Sequence, residues 1–526
     1  MTLTPDEPNQ VQTAAGAGVP RSRIPLLVAL LTILALAFWL QLYRLSDVSL
    51  RGDEAFSVTF ARQDLGEVWR GLLLTEPHPP LYYTMLHCWM AAAGQSELSV
   101  RFVSGFFGLL TVAVTYRLAR SLSAEERVAQ VAALLVALNP YLVWQSQDAR
   151  MYTLLAATCA ASFLLASLVW RAQLAVGRAP RRLWLGYMVV TLLSLYSHYG
   201  AIFALLAQNL ALLVWLAPQA RRHVGFWLSP PVRKWLLGQV ALAAGYLPWI
   251  LAAAPLMLGH TKGWIAPVTL AALLERSLTT YSVGTTAGDL AVPLAAGFAL
   301  VLAAGAWRGL RIAASAVTAV LVYLLAPLLA AFVVSLARPM FDERYLLFVI
   351  PAYSIALAWI AARPAHNAGS PVPSRDPRAA LGLAAVALVC VASLYSLGNY
   401  FTQPQYAKSP GWRELVQYIV RSAEPGDVVV QNYPDPSLSY YMDGRVRLEV
   451  IPSSGPLQTE PTISQLVKVV ATSRLIWFLP YDSPGWDETG YVQTWLGQHS
   501  PKLSDLNIGG MPLQTYQGSQ PVGGGR

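Results

Sequence analysis

The chain has 526 residues, of which 55% are hydrophobic and only 12% are charged, about half the charged share of a typical soluble protein. This composition excludes an ordinary cytosolic enzyme, because lipid must replace water over much of the surface. The net charge of +9 does not require nucleic acid as a partner, since cytoplasmic loops of membrane proteins are rich in Lys and Arg. The composition therefore predicts a polytopic α-helical membrane protein.

The first predicted element is an apolar run of about twenty residues, Ile24 to Tyr43, which follows Arg21 and Arg23. A cleavable signal sequence has an apolar region of roughly 7 to 15 residues, so this run predicts an uncleaved anchor. Residues 1–23 are then a disordered cytoplasmic tail. Ten further apolar runs bring the predicted number of transmembrane helices to about eleven. They are 101–120, 128–146, 151–170, 183–198, 200–217, 235–256, 291–307, 313–337, 345–362 and 379–398.

A shorter apolar segment, Leu81 to Ala93, ends before Gly94 and is too short to cross about 30 Å of hydrocarbon at 1.5 Å per residue. We expect it to lie along the membrane interface, with Tyr82, Tyr83 and Trp89 forming a lip for lipid access. With this assignment the basic clusters all fall on one side, as the positive-inside rule requires. These clusters are Arg21 and Arg23; Arg117, Arg120 and Arg127; Arg171, Arg178, Arg181 and Arg182; Arg221, Arg222, Arg233 and Lys234; Arg308 and Arg311; and Arg363, Arg375 and Arg378.

An odd number of spans places the N-terminus in the cytoplasm and the last part of the chain outside a plasma (inner) membrane. The pattern divides the chain into a membrane domain, 24–398, with a long outer loop at 44–100, and a small α/β domain, 399–526. In the latter domain, helical and strand patterns alternate. Strands are predicted at 428–430, 446–451 and 475–479, and helices after Gly411, at 463–470 and at 491–496.

Ionisable residues gather where the predicted spans reach the outer face. Asp53 and Glu54 lie just beyond the first span, and Glu76 and His78 stand where the same loop returns to the membrane. A carboxylate in a partly desolvated loop is a suitable general base for a hydroxyl nucleophile. The alternatives are a solvated acidic loop and a structural histidine held between Pro77 and Pro79.

Further polar residues follow at the outer ends of later spans. Asp148, Arg150 and Tyr152 occupy one turn, His198 occupies the next, and Arg344 and Tyr345 precede the tenth span. Arg guanidinium groups bind oxyanions through two parallel hydrogen bonds. Alternatively, Asp148 pairs with Arg150, His198 is a packing residue, and Arg344 only extends its head group towards water. Together the residues suit a lipid phosphate, with cations for the leaving group and a base opposite.

Six short motifs occur in order along residues 24–362, and their order resembles that of the C-type membrane glycosyltransferases. Within that group, the order resembles the protein O-mannosyltransferases and the lipid A aminoarabinose or galacturonic acid transferases. The motifs are Asp53-Glu54, His78-Pro79-Pro80-Leu81-Tyr82-Tyr83, Glu97-Leu98-Ser99-Val100-Arg101-Phe102, Gln147-Asp148-Ala149-Arg150-Met151-Tyr152, Ser197-His198-Tyr199 and Glu343-Arg344-Tyr345-Leu346-Leu347.

The resemblance implies an inverting hexosyl- or pentosyltransferase. The donor would be a polyprenyl-phosphate sugar, and the acceptor a lipid, glycan or protein on the outer face. Asp53 would be the catalytic base with Glu54 beside it. His78, Arg150 and Arg344 would contact the donor phosphate. The pocket would be lined by Glu76, Asp148, Tyr152, His198 and Tyr345.

No metal or other cofactor is expected. Some relatives hold a divalent metal with a Glu before the double proline and a distant His, but Glu76 is one residue further from the prolines than that pattern requires. Three alternatives from the same residues are a flippase for lipid-linked sugars, a non-catalytic scaffold, and a ligase or polymerase of lipid-linked oligosaccharides. A flippase would need polar groups near the middle of the membrane, whereas most spans have apolar centres.

Overall fold

The computed structural model describes residues 24–123, 125–222, 225–259, 265–362, 377–481 and 485–520. The predicted tail, 1–23, lies outside the described residues. In the described ranges, fifteen α-helices form the membrane body. They are α1 (Ile24–Leu42), α2 (Gly52–Ala61), α3 (Leu65–Leu74), α4 (Leu81–Ala93), α5 (Glu97–Ser123), α6 (Glu126–Ala137), α7 (Pro140–Ser146), α8 (Tyr152–Val176), α9 (Arg181–Ser197), α10 (Ala201–Arg222), α11 (Pro230–Gly259), α12 (Leu270–Val283), α13 (Ala291–Ala337), α14 (Ile350–Ala358) and α15 (Pro377–Thr402).

Within the described ranges, eight helical segments are long and apolar enough to cross a membrane, or nine if the bent pair α6 and α7 forms one span. The predicted number was eleven. Helix α13 has 47 residues, about twice the length of one span, and Ala313 breaks it with φ −147° and ψ 61°. Helix α9, with 17 residues, is at the lower limit for a span. Counting the bent pair as one span, counting α13 twice and adding α9 would give eleven, so the exact number stays a prediction.

The most buried of these helices form the centre of the bundle. The apolar windows of α5 and α8 are 61% and 78% buried, and that of residues 343–361 is 89% buried. In contrast, α1 and α11 are only 17% and 22% buried, which leaves most of their apolar side chains for lipid. The central helices therefore provide a rigid base for the polar residues at their ends.

Helix α4 has the short length that the sequence predicted, but its two tyrosines do not form a lipid lip. Tyr82 and Tyr83 are fully buried, and the Tyr83 ring lies edge-to-face with Phe60, with ring centroids 5.0 Å apart. That part of the prediction was wrong because the preference of aromatic rings for the interface does not reveal that Phe60 of α2 packs against Tyr83.

The C-terminal part of the chain forms a small α/β domain with a five-stranded sheet in the order β2-β1-β3-β5-β4. Strands β2, β1 and β3 are parallel, and β5 and β4 complete the sheet as an antiparallel hairpin. Its elements are α16 (Trp412–Ser422), β1 (Val428–Gln431), α17 (Pro436–Met442), β2 (Arg447–Val450), α18 (Thr459–Thr472), β3 (Leu475–Leu479), α19 (Tyr491–His499), β4 (Lys502–Ile508) and β5 (Met511–Gln517). Helix α17 and the hairpin were not predicted from the sequence pattern.

Hydrogen bonds and an ion pair connect this domain to the loop before α2 and to Glu97 at the start of α5. The Tyr441 hydroxyl accepts a hydrogen bond from the Leu50 backbone N–H at 2.7 Å and donates one to Glu97. Arg413 also pairs with Glu97, at 2.7 Å, and donates to the Ser46 and Asp47 carbonyl groups. The first turn of α2 therefore rests on both the membrane body and the C-terminal domain.

Candidate functional site

The site is centred on Asp53, in the first turn of α2, whose side chain is 41% exposed. Its Oδ2 atom accepts a hydrogen bond from Arg344 Nη1 at 2.8 Å and lies 3.5 Å from Arg51 Nη1. Burial alone would raise the pKa of Asp53, but the charges of Arg150, Arg51 and Arg344 outweigh it and lower that pKa below its usual value. Asp53 is thus an accessible carboxylate that stays ionised.

Glu54, the next residue, has a different environment. It is fully buried, and both of its oxygens are bound by Arg101, at 2.7 Å each. The backbone N–H groups of Arg51 and Ala149 also donate to this carboxylate. A carboxylate with so many donors is poorly placed to accept a substrate proton. The geometry favours a role for Glu54 in holding the loops together, with catalysis left to Asp53.

Asp148 is fully buried and pairs with Arg51 rather than with Arg150. Burial alone would raise the pKa of Asp148, but Arg51 and Lys408 keep it well below the usual range. The sequence-based alternative of an Asp148–Arg150 pair is therefore replaced by a pair with a residue that precedes α2. This pair ties the Asp53 loop to the turn between α7 and α8.

Arg150 contacts the backbone of Asp53 and is 6% exposed. Its Nη1 atom donates to the Ser57 hydroxyl at 2.9 Å, to the Tyr83 hydroxyl at 3.3 Å and to the Asp53 carbonyl at 3.4 Å. Its Nε atom is buried and makes no hydrogen bond to any residue in the described ranges. Arg150 is therefore held against the first two turns of α2 with one buried donor atom unsatisfied.

Arg344 is held between two carboxylates. Besides Asp53, its Nε atom donates to Asp342 at 3.0 Å, and the guanidinium carbon lies 5.5 Å from the centroid of the Tyr152 ring. The guanidinium group does not extend towards bulk water, because its side chain is only 16% exposed. A lipid phosphate would have to compete with Asp53 for Arg344.

The remaining predicted residues form an aromatic and imidazole wall next to the two arginines. The rings of His198 and Tyr345 are 4.9 Å apart, and those of Tyr152 and His198 are 5.8 Å apart. The His78 ring is 6.3 Å from that of His198 and bonds to Glu76 through Nδ1. The Gly200 N–H donates to His198 Nδ1 at 3.0 Å, so that this nitrogen is an acceptor. All ten predicted site residues thus belong to one connected region.

Within the described residues, no three His, Cys, Asp or Glu side chains converge in a way that could hold a metal ion. Transfer without a metal stays a prediction.

Four residues of this region were not predicted from the sequence: Arg51, Arg101, Lys408 and Asp435. Arg51 and Arg101 lie in or beside the sequence motifs, but the sequence did not predict which carboxylates they bind. Lys408 donates to the Trp144 carbonyl at 2.5 Å, with its Nζ atom 5.0 Å from the centre of that ring. Asp435, on the C-terminal domain, lies close to Gly52. A Cβ atom added to Gly52 would lie 3.5 Å from Asp435 Oδ1. The last two are far from the motifs in sequence, and only the domain packing brings them here.

Comparison with known proteins shows what the chain and its fold are similar to. Residues 77–249 match the family described as dolichyl-phosphate-mannose-protein mannosyltransferase. A comparison with curated protein sequences finds no match.

Solved structures resemble almost the whole chain. ArnT from Cupriavidus metallidurans in the apo state has a TM-score of 0.61 and 12% sequence identity, with 94% of this chain and 98% of ArnT covered. The same protein bound to undecaprenyl phosphate has a TM-score of 0.60 and 14% identity, with 95% and 99% covered. The archaeal oligosaccharyltransferase AglB from Archaeoglobus fulgidus, in complex with an inhibitory peptide and a dolichol-phosphate, has a TM-score of 0.51 and 12% identity, with 87% and 70% covered. At these identities the likeness establishes the fold, and the chain has the fold of the C-type membrane glycosyltransferases.

Proposed function

We propose that the protein is an inverting glycosyltransferase that moves a sugar from a polyprenyl-phosphate carrier to an acceptor on the outer face of the membrane. The observation that carries this proposal is Asp53, an ionised and partly exposed carboxylate next to three arginines at one end of the bundle. The superposition with ArnT, in a structure bound to undecaprenyl phosphate, supports the choice of carrier.

In the proposed reaction, Asp53 accepts the proton of the acceptor hydroxyl as that oxygen attacks the anomeric carbon. The bond from this carbon to the phosphate oxygen breaks on the opposite face of the sugar, which inverts the anomeric configuration. Arg150 and His78 bind the leaving phosphate, and Arg344 exchanges its bond with Asp53 for one with the phosphate when the donor binds. The positive charges of Arg150 and Arg344 stabilise the negative charge of the departing carrier.

The distribution of charge supports the outer location. Helices α5, α8 and α10 begin near the site and end in or next to basic clusters at their other ends. These clusters contain Arg117 and Arg120, Arg171 and Arg178, and Arg221 and Arg222. Because Lys and Arg accumulate on the cytoplasmic side, the end that carries the site and the C-terminal domain would be external.

The test is donor cleavage by the full-length protein in liposomes. Radiolabelled polyprenyl-phosphate sugars are supplied as a mixed pool, and release of the carrier phosphate is measured for the wild type, Asp53→Asn and Asp64→Asn. Asp64, exposed just before α3, is the matched control.

We expect a loss of about 10²- to 10⁴-fold in Asp53→Asn and none in Asp64→Asn, as for removal of a general base. The label that is released would identify the donor sugar. Equal cleavage by the wild type and Asp53→Asn would contradict the assignment of the base. Label that crosses the bilayer with its phosphate bond intact would support a flippase instead.

A further inference from the structure

Two tyrosines of the C-terminal domain stand where two parallel strands end. Tyr433 lies two residues after β1 and Tyr481 two residues after β3, and their rings stack with centroids 5.3 Å apart and planes at 18°. Trp486 supports Tyr433 from the side, at 5.8 Å and 77°. Asn432 joins the two strand ends, because it donates to the Tyr481 carbonyl at 3.0 Å and accepts from the Tyr481 N–H at 2.7 Å.

The sheet topology makes the ends of β1 and β3 a candidate ligand site. Strand β1 lies between β2 and β3. The chain therefore continues from β1 to the neighbouring strand β2 at one edge, and then crosses back to β3, the neighbour on the opposite edge of β1. Leu438 and Met442 of α17 pack on one face of the sheet, whereas Val492 and Leu496 of α19 pack on the opposite face. In open α/β sheets, ligands bind beyond the carboxyl ends of strands at such a switch point.

This end of the domain faces the proposed catalytic base. Asp435 follows Tyr433 by two residues, is 7% exposed and accepts a hydrogen bond from the Ser437 N–H at 2.8 Å. It also bonds to the Tyr481 side chain. Asp435 lies against Gly52, the residue before Asp53, so Asp435 connects the aromatic pair to the segment that carries the base.

The chemistry of this surface suits a sugar. A pyranose has one apolar face of C–H groups, which packs on an aromatic ring, and a rim of hydroxyl groups that bond to carboxylates. Tyr433 covers one face of the Tyr481 ring, and Tyr481 remains 36% exposed. Such a site combines an aromatic surface with a few placed polar groups.

We propose that Tyr481, backed by Tyr433 and assisted by Asp435, binds a sugar ring of the acceptor, so that the acceptor is a glycan or glycolipid rather than a protein. This inference rests on the proposed function and specifies its acceptor class. The sugar would stack on Tyr481 and present one hydroxyl group towards Asp53.

Binding is tested first, without donor, so that the result does not depend on catalysis. Saturation transfer from the full-length protein to methyl α-mannopyranoside and methyl β-glucopyranoside is measured by NMR in a detergent that has no sugar head group. Tyr481→Leu keeps the apolar bulk but removes the ring, and Tyr481→Phe keeps the ring. Tyr418→Ala is the control, because Tyr418 has the same 36% exposure on α16.

We expect Tyr481→Leu to weaken sugar binding about five-fold or more, while Tyr481→Phe and Tyr418→Ala retain most of it. Equal binding by the wild type and Tyr481→Leu would overturn the proposal. A signal from a Ser-rich peptide but from neither glycoside would overturn it in favour of a protein acceptor.

The donor sugar is the other possible occupant, and kinetics distinguish it. In the liposome assay, Tyr481→Leu should raise the KM for a glycoside acceptor and leave the KM for the polyprenyl-phosphate sugar unchanged. A change in the donor KM alone would overturn the proposal. If the wild type bound glycosides but cleaved no donor, the proposed function would fail while the sugar site remained.

Discussion

Arg344 donates a hydrogen bond of 2.8 Å to Asp53, although 291 positions separate the two residues in the chain. The contact joins the first turn of α2 to the segment before α14. It brings the proposed base and a proposed phosphate ligand together, so binding of the donor would exchange one partner of Arg344 for another.

We predict that Arg344→Gln moves the acidic limb of the pH profile of kcat/KM to higher pH. The pKa of Asp53 is lowered in the folded protein, so the base is ionised above that pKa and is lost as the pH falls through it. Removing the Arg344 charge raises the pKa of Asp53, and activity is then lost at a higher pH. Arg344→Lys should keep the acidic limb near its wild-type position.

Arg338→Gln serves as the control for this experiment, because Arg338 is exposed and its Nη1 atom donates to the Met257 carbonyl. An acidic limb that stayed in place in Arg344→Gln would show that Arg344 does not control the ionisation of Asp53.

A second prediction concerns the buried pair of Glu54 and Arg101. Their side chains are 0% and 2% exposed, and Arg101 also donates to the Leu45, Val48 and Ser49 carbonyl groups. Glu54→Gln would leave a buried cation without its partner and lower the free energy of unfolding by about 3–5 kcal/mol. Thermal unfolding in detergent measures this loss. Glu54→Gln combined with Arg101→Met should be more stable than Glu54→Gln alone, and no such recovery would argue against the pair.

The third prediction concerns Lys408, whose burial lowers its pKa to about 8 despite the opposing charges of Asp148 and Glu54. The unfolded chain keeps this proton up to about pH 10.4. Between these values the unfolded state binds more protons, so the contribution of Lys408 to folding stability rises with pH. The melting temperature of the wild type relative to Lys408→Met should therefore increase from pH 7 to pH 9.5. A constant difference would mean that Lys408 titrates normally.

The fourth prediction concerns the close contact at Gly200. A Cβ atom there would lie 2.4 Å from the Tyr345 carbonyl oxygen and 3.0 Å from His198 Nδ1. Gly200→Ala should therefore displace the wall formed by His198 and Tyr345 and lower kcat about ten-fold or more, as small misplacements do. Gly297→Ala in α13, where no atom lies within 4 Å of the added carbon, is the matched control. Similar kcat values in the two variants would exclude a role for this wall.

Much of the membrane body was predictable, because long apolar runs and clustered Arg residues report directly on spans. The break at Ala313 coincides with a predicted boundary between spans, and Arg308, Gly309 and Arg311 lie in the interval between those spans. The hairpin of β4 and β5 was missed although Gly509 and Gly510 form its turn, which is a recognisable signal.

The site was predicted as a set of residues but not as a set of pairs. Motif order indicated Asp53, Asp148 and Arg344, whereas the partners Arg51 and Lys408 depend on how distant loops pack. Tertiary contacts of this kind leave no local pattern, because neither the periodicity of the sequence nor the spacing of its motifs determines which Arg or Lys pairs with which carboxylate. The same limit hid Asp435 beside Gly52.

The attachment of the C-terminal domain to the loop before α2 has a consequence for protein engineering. Arg413 and Tyr441 bind the backbone of residues 46–50 and the Glu97 side chain. The C-terminal domain therefore cannot be replaced at the predicted boundary near residue 399 without loss of these contacts. A chimera with the C-terminal domain of a relative would misplace Asp53 unless residues 46–54 and Glu97 were transferred with it. Residues 46–54, Glu97 and the C-terminal domain therefore form the smallest unit that a domain exchange should move together.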